Sequence, residues 1–289
     1  MDKLKSHFDI NGRRIGPGEP AYIIAELSAN HHQDFDRAVE LVYQAHQAGA
    51  DAVKLQTYTA ETLTLDSNEP CFRINQASTP WEWHAELKSI ANQLGMDLFS
   101  SPFDSTAVQF LAKLDVPAYK IASFEIVDIS LLKQVASTGK PVIVSTGMAS
   151  IEEIELAVRT LKDHGCRDVA LLKCTSSYPA PRESMNLKTI PDLAFRFQVP
   201  VGLSDHTLTP DSAVISVAVG GSIIEKHITL SRDDSGPDSG FSSTPEEFAE
   251  MVIAVRNAEA CLGIVHYGTT ASDENNLAFR RSLFAVKNI

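Results

Sequence analysis

Two histidines close two successive apolar runs: His206 ends Pro200-Val201-Gly202-Leu203-Ser204-Asp205-His206, and His227 ends Ile223-Ile224-Glu225-Lys226-His227. The runs read as neighbouring parallel strands with a helical segment over about 210–220 between them. Adjacent strands lie roughly 4.8 Å apart, so two imidazoles projecting past the same ends can grip one metal ion and leave coordination positions open. A single histidine in such a place is more often a hydrogen-bonded core residue. Repetition at the same structural place favours a catalytic metal instead. Nitrogen ligands completed by oxygen and water suit manganese, cobalt or zinc equally on geometry.

The elements that must hold these side chains can be counted. Apolar, β-branched runs at 22–25, 52–56, 97–100, 118–121, 142–145, 169–173, 201–203 and 222–226 alternate with longer stretches, such as 36–48, 80–94, 151–164 and 245–261, whose apolar residues recur at helical spacing. Strict alternation implies right-handed crossovers and a parallel sheet. Eight such units over 21–262 match an α/β fold of the closed (β/α)8 TIM barrel type, with a doubly wound open sheet as the competing architecture. Residues 1–20 contain Asn11-Gly12 between alternating residues, a hairpin signal, and are expected to cap the barrel bottom.

In such a barrel the loops at the C-terminal strand ends surround the active-site mouth, and the polar residues gather there. Glu26, Ser28 and Asn30 follow the first strand, and Lys54 and Gln56 sit in the second. Ser101 ends the third, Lys120, Ser123 and Glu125 the fourth, Ser145 the fifth, and Ser176 and Tyr178 follow the sixth. Ser204, His206, Glu225 and His227 complete the ring. Parallel strands are normally continuous apolar runs, so lysines within them are costly unless paired. Lys54 and Lys120 are candidate clamps for a phosphate or carboxylate; pairing with a neighbouring glutamate, or snorkelling to solvent, is an equally good account of either alone. Strand-end hydroxyls often only satisfy a turn. Their ring arrangement is what argues for a site.

The composition, 44% hydrophobic and 21% charged over 289 residues, is that of a soluble globular chain. A formal net charge of −12 argues against a nucleic-acid surface, and no segment calls for a membrane. Cys71, Cys166, Cys174 and Cys261 have no paired CxxC spacing and read as reduced thiols. With no signal peptide at the N-terminus, a cytoplasmic location is expected.

The strand-end motifs Ile24-Ala25-Glu26-Leu27-Ser28-Ala29-Asn30-His31, Val53-Lys54-Leu55-Gln56-Thr57, Tyr119-Lys120-Ile121-Ala122-Ser123, Ser145-Thr146-Gly147-Met148, Gly202-Leu203-Ser204-Asp205-His206 and Glu225-Lys226-His227 resemble the sialic acid synthase family. Within it, Leu55-Gln56-Thr57-Tyr58-Thr59-Ala60, Leu172-Lys173-Cys174-Thr175-Ser176-Ser177-Tyr178-Pro179 and Asp238-Ser239-Gly240-Phe241-Ser242 are similar to the pseudaminate branch. The resemblance implies an enzyme that joins phosphoenolpyruvate to an acetamido sugar, for flagellin glycosylation or a surface polysaccharide. It implies a divalent metal on His206 and His227, manganese with cobalt or magnesium as substitutes. Lys54, Ser101, Lys120, Ser123, Ser145, Ser176 and Ser204 would bind substrate, mostly the phosphoenolpyruvate, with Asn30, Tyr178 and Asp238 toward the sugar. Glu26, Lys120 and Glu125 would be catalytic, Glu26 against the amino sugar and Glu125 moving protons. For Glu125, merely orienting Lys120 is the plainer role; His31 completes the family's Asn-His pair or orders its loop.

The resemblance also implies a homodimer, domain-swapped when full length, with 263–289 leading toward an antifreeze-like domain beyond Ile289. The segment between Arg73 and Pro80 is shorter than its counterpart in the pseudaminate branch. Tyr58, Tyr178 and Phe241 are expected to form one apolar wall over the sugar's tail. Synthesis of N-acetylneuraminate or legionaminate is the same-class alternative. A Schiff-base aldolase using Lys120 and a non-catalytic sugar-phosphate binding protein are the readings from other classes.

Overall fold

Eight parallel strands close into one barrel in a computed structural model that describes residues 6–63, 77–283 and 286–288. Two short strands precede it, β1 (Phe8–Ile10) and β2 (Arg13–Ile15). The barrel strands are β3 (Tyr22–Glu26), β4 (Ala52–Thr57), β5 (Asp97–Pro102), β6 (Tyr119–Ile121), β7 (Val142–Ser145), β8 (Val169–Cys174), β9 (Val201–Asp205) and β10 (Ile223–His227). Each is followed by a helix: α1 (Phe35–Gln47), α2 (His84–Gln93), α3 (Ser105–Lys113), α4 (Ile129–Ser137), α5 (Ile151–Asp163), α6 (Thr189–Phe197), α7 (Asp211–Ala218) and α8 (Pro245–Leu262). Strand β10 pairs back onto β3, which excludes the open sheet and leaves no unpaired edge.

The expected strands match to within one or two residues, and most of the differences lie at the C-terminal ends. Strands β5 and β9 each run two residues further than their apolar runs, because the ladder continues through Ser101-Pro102 and Ser204-Asp205 into the mouth. Helix starts follow from side-chain caps. Ser150 and Thr244 form capping boxes with Glu153 and Glu247 at α5 and α8, and Asp104 accepts two backbone N–H groups at α3.

The Asn11-Gly12 turn of the β1–β2 hairpin has both residues at positive φ, +45° and +81°, the geometry that favours this dipeptide. Asn11 donates to Asp97 at 2.5 Å and Arg13 pairs with Asp51. Asp97 opens β5 and Asp51 immediately precedes β4, so the hairpin lies against the lower rim with Phe8, Ile10 and Ile15 buried beneath it. Ile24, Phe99, Ile143, Leu172 and Ile223, fully buried and on the inward register, fill the lumen above. Gly202 is required there: a Cβ would stand 2.0 Å from the Ile223 carbonyl oxygen.

Residues 263–283 leave the barrel and are exposed throughout, with one 3-10 segment at Ala271–Phe279. Most of the shortened segment before Pro80, and Cys71, lie outside the described residues. No described helix is long and apolar enough to cross a membrane.

Candidate active site

Strand register decides which side chains meet. His227 lies beside Glu26, Glu26 beside Lys54, and Gln56 beside Ser101, while Cys174 and Glu225 both flank Ser204. Side chains abreast in a parallel sheet share a face, so this set points into the mouth. Lys226 and Asp205, one residue out of phase, point away from it and form their own buried pair at 2.9 Å. The inward set surrounds a cavity of about 70 Å³ that gathers Glu26, Lys54, Gln56, Ser101, Phe103, Lys120, Ser123, Ser145, Cys174, Tyr178, Ser204, His206, Glu225 and His227. A larger hollow of about 410 Å³ at the barrel bottom, beside Pro17 and Gly263, is lined by no basic side chain among the described residues.

Both lysines are buried, and both are paired. Lys54 Nζ stands 2.6 Å from Glu26 and 3.7 Å from Glu225, and donates to Ser101 Oγ at 3.1 Å. Lys120 Nζ donates to Ser145 Oγ at 2.7 Å and to the Ile121 carbonyl at 3.1 Å, with Glu225 at 3.8 Å. Burial pushes the Glu26 carboxyl up against the pull of Lys54, and the Glu225 charge adds to the rise. Burial also opposes the Glu225 charge, but Lys120 and Lys54 hold that carboxyl below its ordinary range. Two carboxylates this close titrate as a pair, with Glu26 the member pushed up and Glu225 the member held down. Lys54 and Lys120 face Glu26 and Glu225, so the four buried side chains balance in formal charge. Burial pulls Lys120 below the ordinary lysine value, incompletely offset by Glu225; a bound anion would raise it again.

Hydroxyls form a cradle beside Lys120. Ser123 Oγ accepts the Gly147 N–H at 3.2 Å, and the Ser176 hydroxyl is buried with no hydrogen-bond partner. A Cβ on Gly147 would lie 2.5 Å from Ser176 Oγ and 2.8 Å from Ser123 Oγ, so only glycine lets the two approach. Glu125 follows in a 3-10 turn after β6, where burial raises its carboxyl to about 7 and leaves Oε2 without a hydrogen-bond partner. That value suits proton transfer near neutrality. No hydrogen bond or ion pair ties Glu125 to Lys120, which weighs against a purely orienting role.

The histidine rings sit side by side, centroids 5.4 Å apart. His206 Nδ1 lies 3.0 Å from the Thr175 carbonyl, which fixes the proton there and leaves the Nε2 lone pair free. Burial, with the His206 and lysine charges, keeps the His227 imidazole well below its ordinary value and neutral, and its Nδ1 is buried without a partner. Burial opposes a charge on His206 too, but the Cys174 thiol and the Thr175 carbonyl raise that imidazole above its ordinary value, so an ion held by both rings would displace a proton from His206. Among the described residues no group of three or more His, Cys, Asp or Glu side chains is spaced as a complete cage. An ion here would therefore take its other ligands from substrate and water, the open arrangement of a catalytic site.

Tyr178 stands 4.4 Å from His206, and Phe241 lies 5.0 Å from Tyr178 and 4.9 Å from His227, ring centre to ring centre. Two of the three aromatics expected to form a wall therefore do so. Tyr58 is one layer back, packed on Phe103 at 5.0 Å, and Phe103 reaches the cavity in its place. Asn30 also stays outside: its amide donates to the Ile228 carbonyl and Ser242 Oγ and accepts from Ser239, tying the loop after β10 to the turn after β3. Asp238 connects to the cavity through Ser28 and Gln56.

Cys174 was missed as a site residue. An apolar strand context reads as core, yet its thiol lines the cavity 4.0 Å from His206 Nδ1. Its place two residues beyond inward-facing Leu172 was the available signal.

Residues 41–267 match the NeuB family. The chain is 43% identical over 282 residues to the pseudaminic acid synthase of Campylobacter jejuni serotype O:2, covering 93% of this chain and 82% of that protein. It is 38% identical over 296 residues to the N,N'-diacetyllegionaminic acid synthase of Legionella pneumophila, covering 96% and 82%. The crystal structure of the N-acetylneuraminic acid synthetase of Leptospira borgpetersenii in complex with citrate superimposes with a TM-score of 0.89 at 32% identity, covering 98% of this chain and 99% of that one.

Proposed function

This chain belongs to the NeuB family, the sialic acid synthases, and from that premise we propose that it is a phosphoenolpyruvate-dependent nonulosonic acid synthase of the pseudaminate type. It condenses phosphoenolpyruvate with an open-chain 2,4-diacetamido-2,4,6-trideoxy hexose of the altrose type and water, giving pseudaminic acid and phosphate. The observation that carries the reading is one cavity holding two buried lysines, the hydroxyls of Ser101, Ser123, Ser145 and Ser204, and two imidazoles side by side. The same reading makes it a cytoplasmic homodimer.

Lys54, Lys120 and the hydroxyls of Ser101, Ser123, Ser145, Ser176 and Ser204 would bind the phosphate and carboxylate through charge-assisted hydrogen bonds. The methylene carbon of phosphoenolpyruvate attacks the sugar aldehyde, forming the new carbon–carbon bond while the aldehyde oxygen gains a proton. The adjacent carbon, now cationic, takes up water, and the carbon–oxygen bond to phosphate breaks with its electron pair leaving on phosphate. Glu125, with its carboxyl raised to about 7, would accept a proton from that water and return it to the departing phosphate. His206 and His227 would hold one divalent ion, manganese with cobalt or magnesium as substitutes, which when bound supplies Lewis-acid polarisation of the aldehyde.

The sugar assignment rests on the Tyr178–Phe241 wall, where a methyl group packs and a hydroxyl loses water contacts. Burying one methyl gains roughly 1 kcal/mol, and donors left unpaired by the wrong sugar discriminate further. The expected kcat/KM for 2,4-diacetamido-2,4,6-trideoxy-altrose exceeds that for N-acetylmannosamine by on the order of a hundredfold. A steady-state comparison decides it. Equal values would place the enzyme with the N-acetylneuraminate synthases, and a preference for the corresponding legionaminate precursor with that branch.

A further inference from the structure

Ser28 adopts the left-handed backbone region, φ +43°, although it carries a Cβ and is 2% exposed. Such a conformation costs a non-glycine residue about 1–3 kcal/mol and is kept where the surroundings use the side chain. The surroundings here do. The Ser28 hydroxyl donates to Asp238 Oδ2 and accepts from Gln56 Nε2 at 2.9 Å, while the second Gln56 amide hydrogen goes to Glu26 Oε1 at 3.0 Å. Glu26 continues to Lys54, so one polar row runs Lys54–Glu26–Gln56–Ser28–Asp238 across the mouth from β4 to the loop after β10. The Ala29 N–H reaches the same Asp238 oxygen at 3.4 Å.

Each link is oriented by its neighbour. Gln56 spends both amide hydrogens inside the row, which fixes its carbonyl oxygen toward the remaining space. The Ser28 proton goes to a carboxylate, the stronger kind of hydrogen bond, which fixes one Asp238 oxygen and with it the direction of the other. The turn carrying Ser28 is itself pinned, the Leu27 N–H donating to the Lys54 carbonyl at 3.0 Å.

We propose that Ser28 is a positioning residue for the acceptor sugar, holding Asp238 and Gln56 in the orientation that meets it. The proposal rests on the function given above for the identity of the ligand and for its contact with Asp238. Phosphoenolpyruvate affinity is the internal control, because Lys120 and the Gly147 cradle lie outside the row and Lys54 is three links away from Ser28 through Glu26 and Gln56.

Ser28→Gly is the informative change, since glycine accepts positive φ without strain while the hydroxyl is lost. The variant should melt no lower than the parent. In amide hydrogen exchange without substrate, residues 238–242 should exchange about tenfold faster, the scale of losing one charge-assisted hydrogen bond. The sugar KM should rise about tenfold or more, with kcat within about threefold and phosphoenolpyruvate affinity unchanged. Unchanged exchange at 238–242, or equal loss of affinity for both substrates, would overturn the proposal. If the parent enzyme turns over no acetamido sugar, the assigned function falls, and the exchange measurement still decides the role of Ser28.

Discussion

Lys120→Met should weaken phosphoenolpyruvate binding by roughly a hundred- to a thousandfold and leave sugar affinity within about threefold. Methionine keeps most of the buried volume but removes the ammonium that Ser145 and Ile121 orient. Taking one partner from a buried charged contact costs about 3–5 kcal/mol, and each 1.4 kcal/mol is about tenfold in affinity. The asymmetry between substrates carries the meaning, since general damage to the barrel would weaken both. Calorimetry with each substrate separately makes the comparison, and unchanged phosphoenolpyruvate affinity would remove Lys120 from the clamp.

His206→Ala and His227→Ala should each lose both the bound divalent ion and activity, the latter by at least about a thousandfold given the several kcal/mol a Lewis acid supplies. With two protein nitrogens in the site, either loss leaves a single donor. Metal content after dialysis, with activity before and after manganese is restored, provides the readout. Stoichiometric manganese in both variants would place the ion elsewhere.

Apolar runs alternating with helically spaced stretches, together with turn chemistry, made the barrel, its bottom hairpin and most of the mouth legible in the sequence. Lys54, Lys120, His206 and His227 were found because charged or imidazole side chains interrupt or end apolar runs. What stayed hidden depends on distances between strands. Glu26 was expected against the sugar, and its ion pair with Lys54 follows only from the β3–β4 register. Cys174 faces the lumen by parity alone, and its apolar chemistry hid it. Tyr58 and Phe103 both follow strands as aromatics, and only packing decides which one reaches the cavity. Gly147 and Ser28 are invisible for a related reason, since a close approach and a left-handed φ are properties of the folded backbone.

Phosphoenolpyruvate carrying oxygen-18 in the bridging position between its enol carbon and phosphorus tests the proposed chemistry most directly. Incubated with manganese, the chain and the diacetamido-trideoxy-altrose, it should release phosphate in step with sugar consumption, with the label in that phosphate because the carbon–oxygen bond breaks. Label retained in the nine-carbon acid, or sugar consumed without phosphate, would contradict the mechanism.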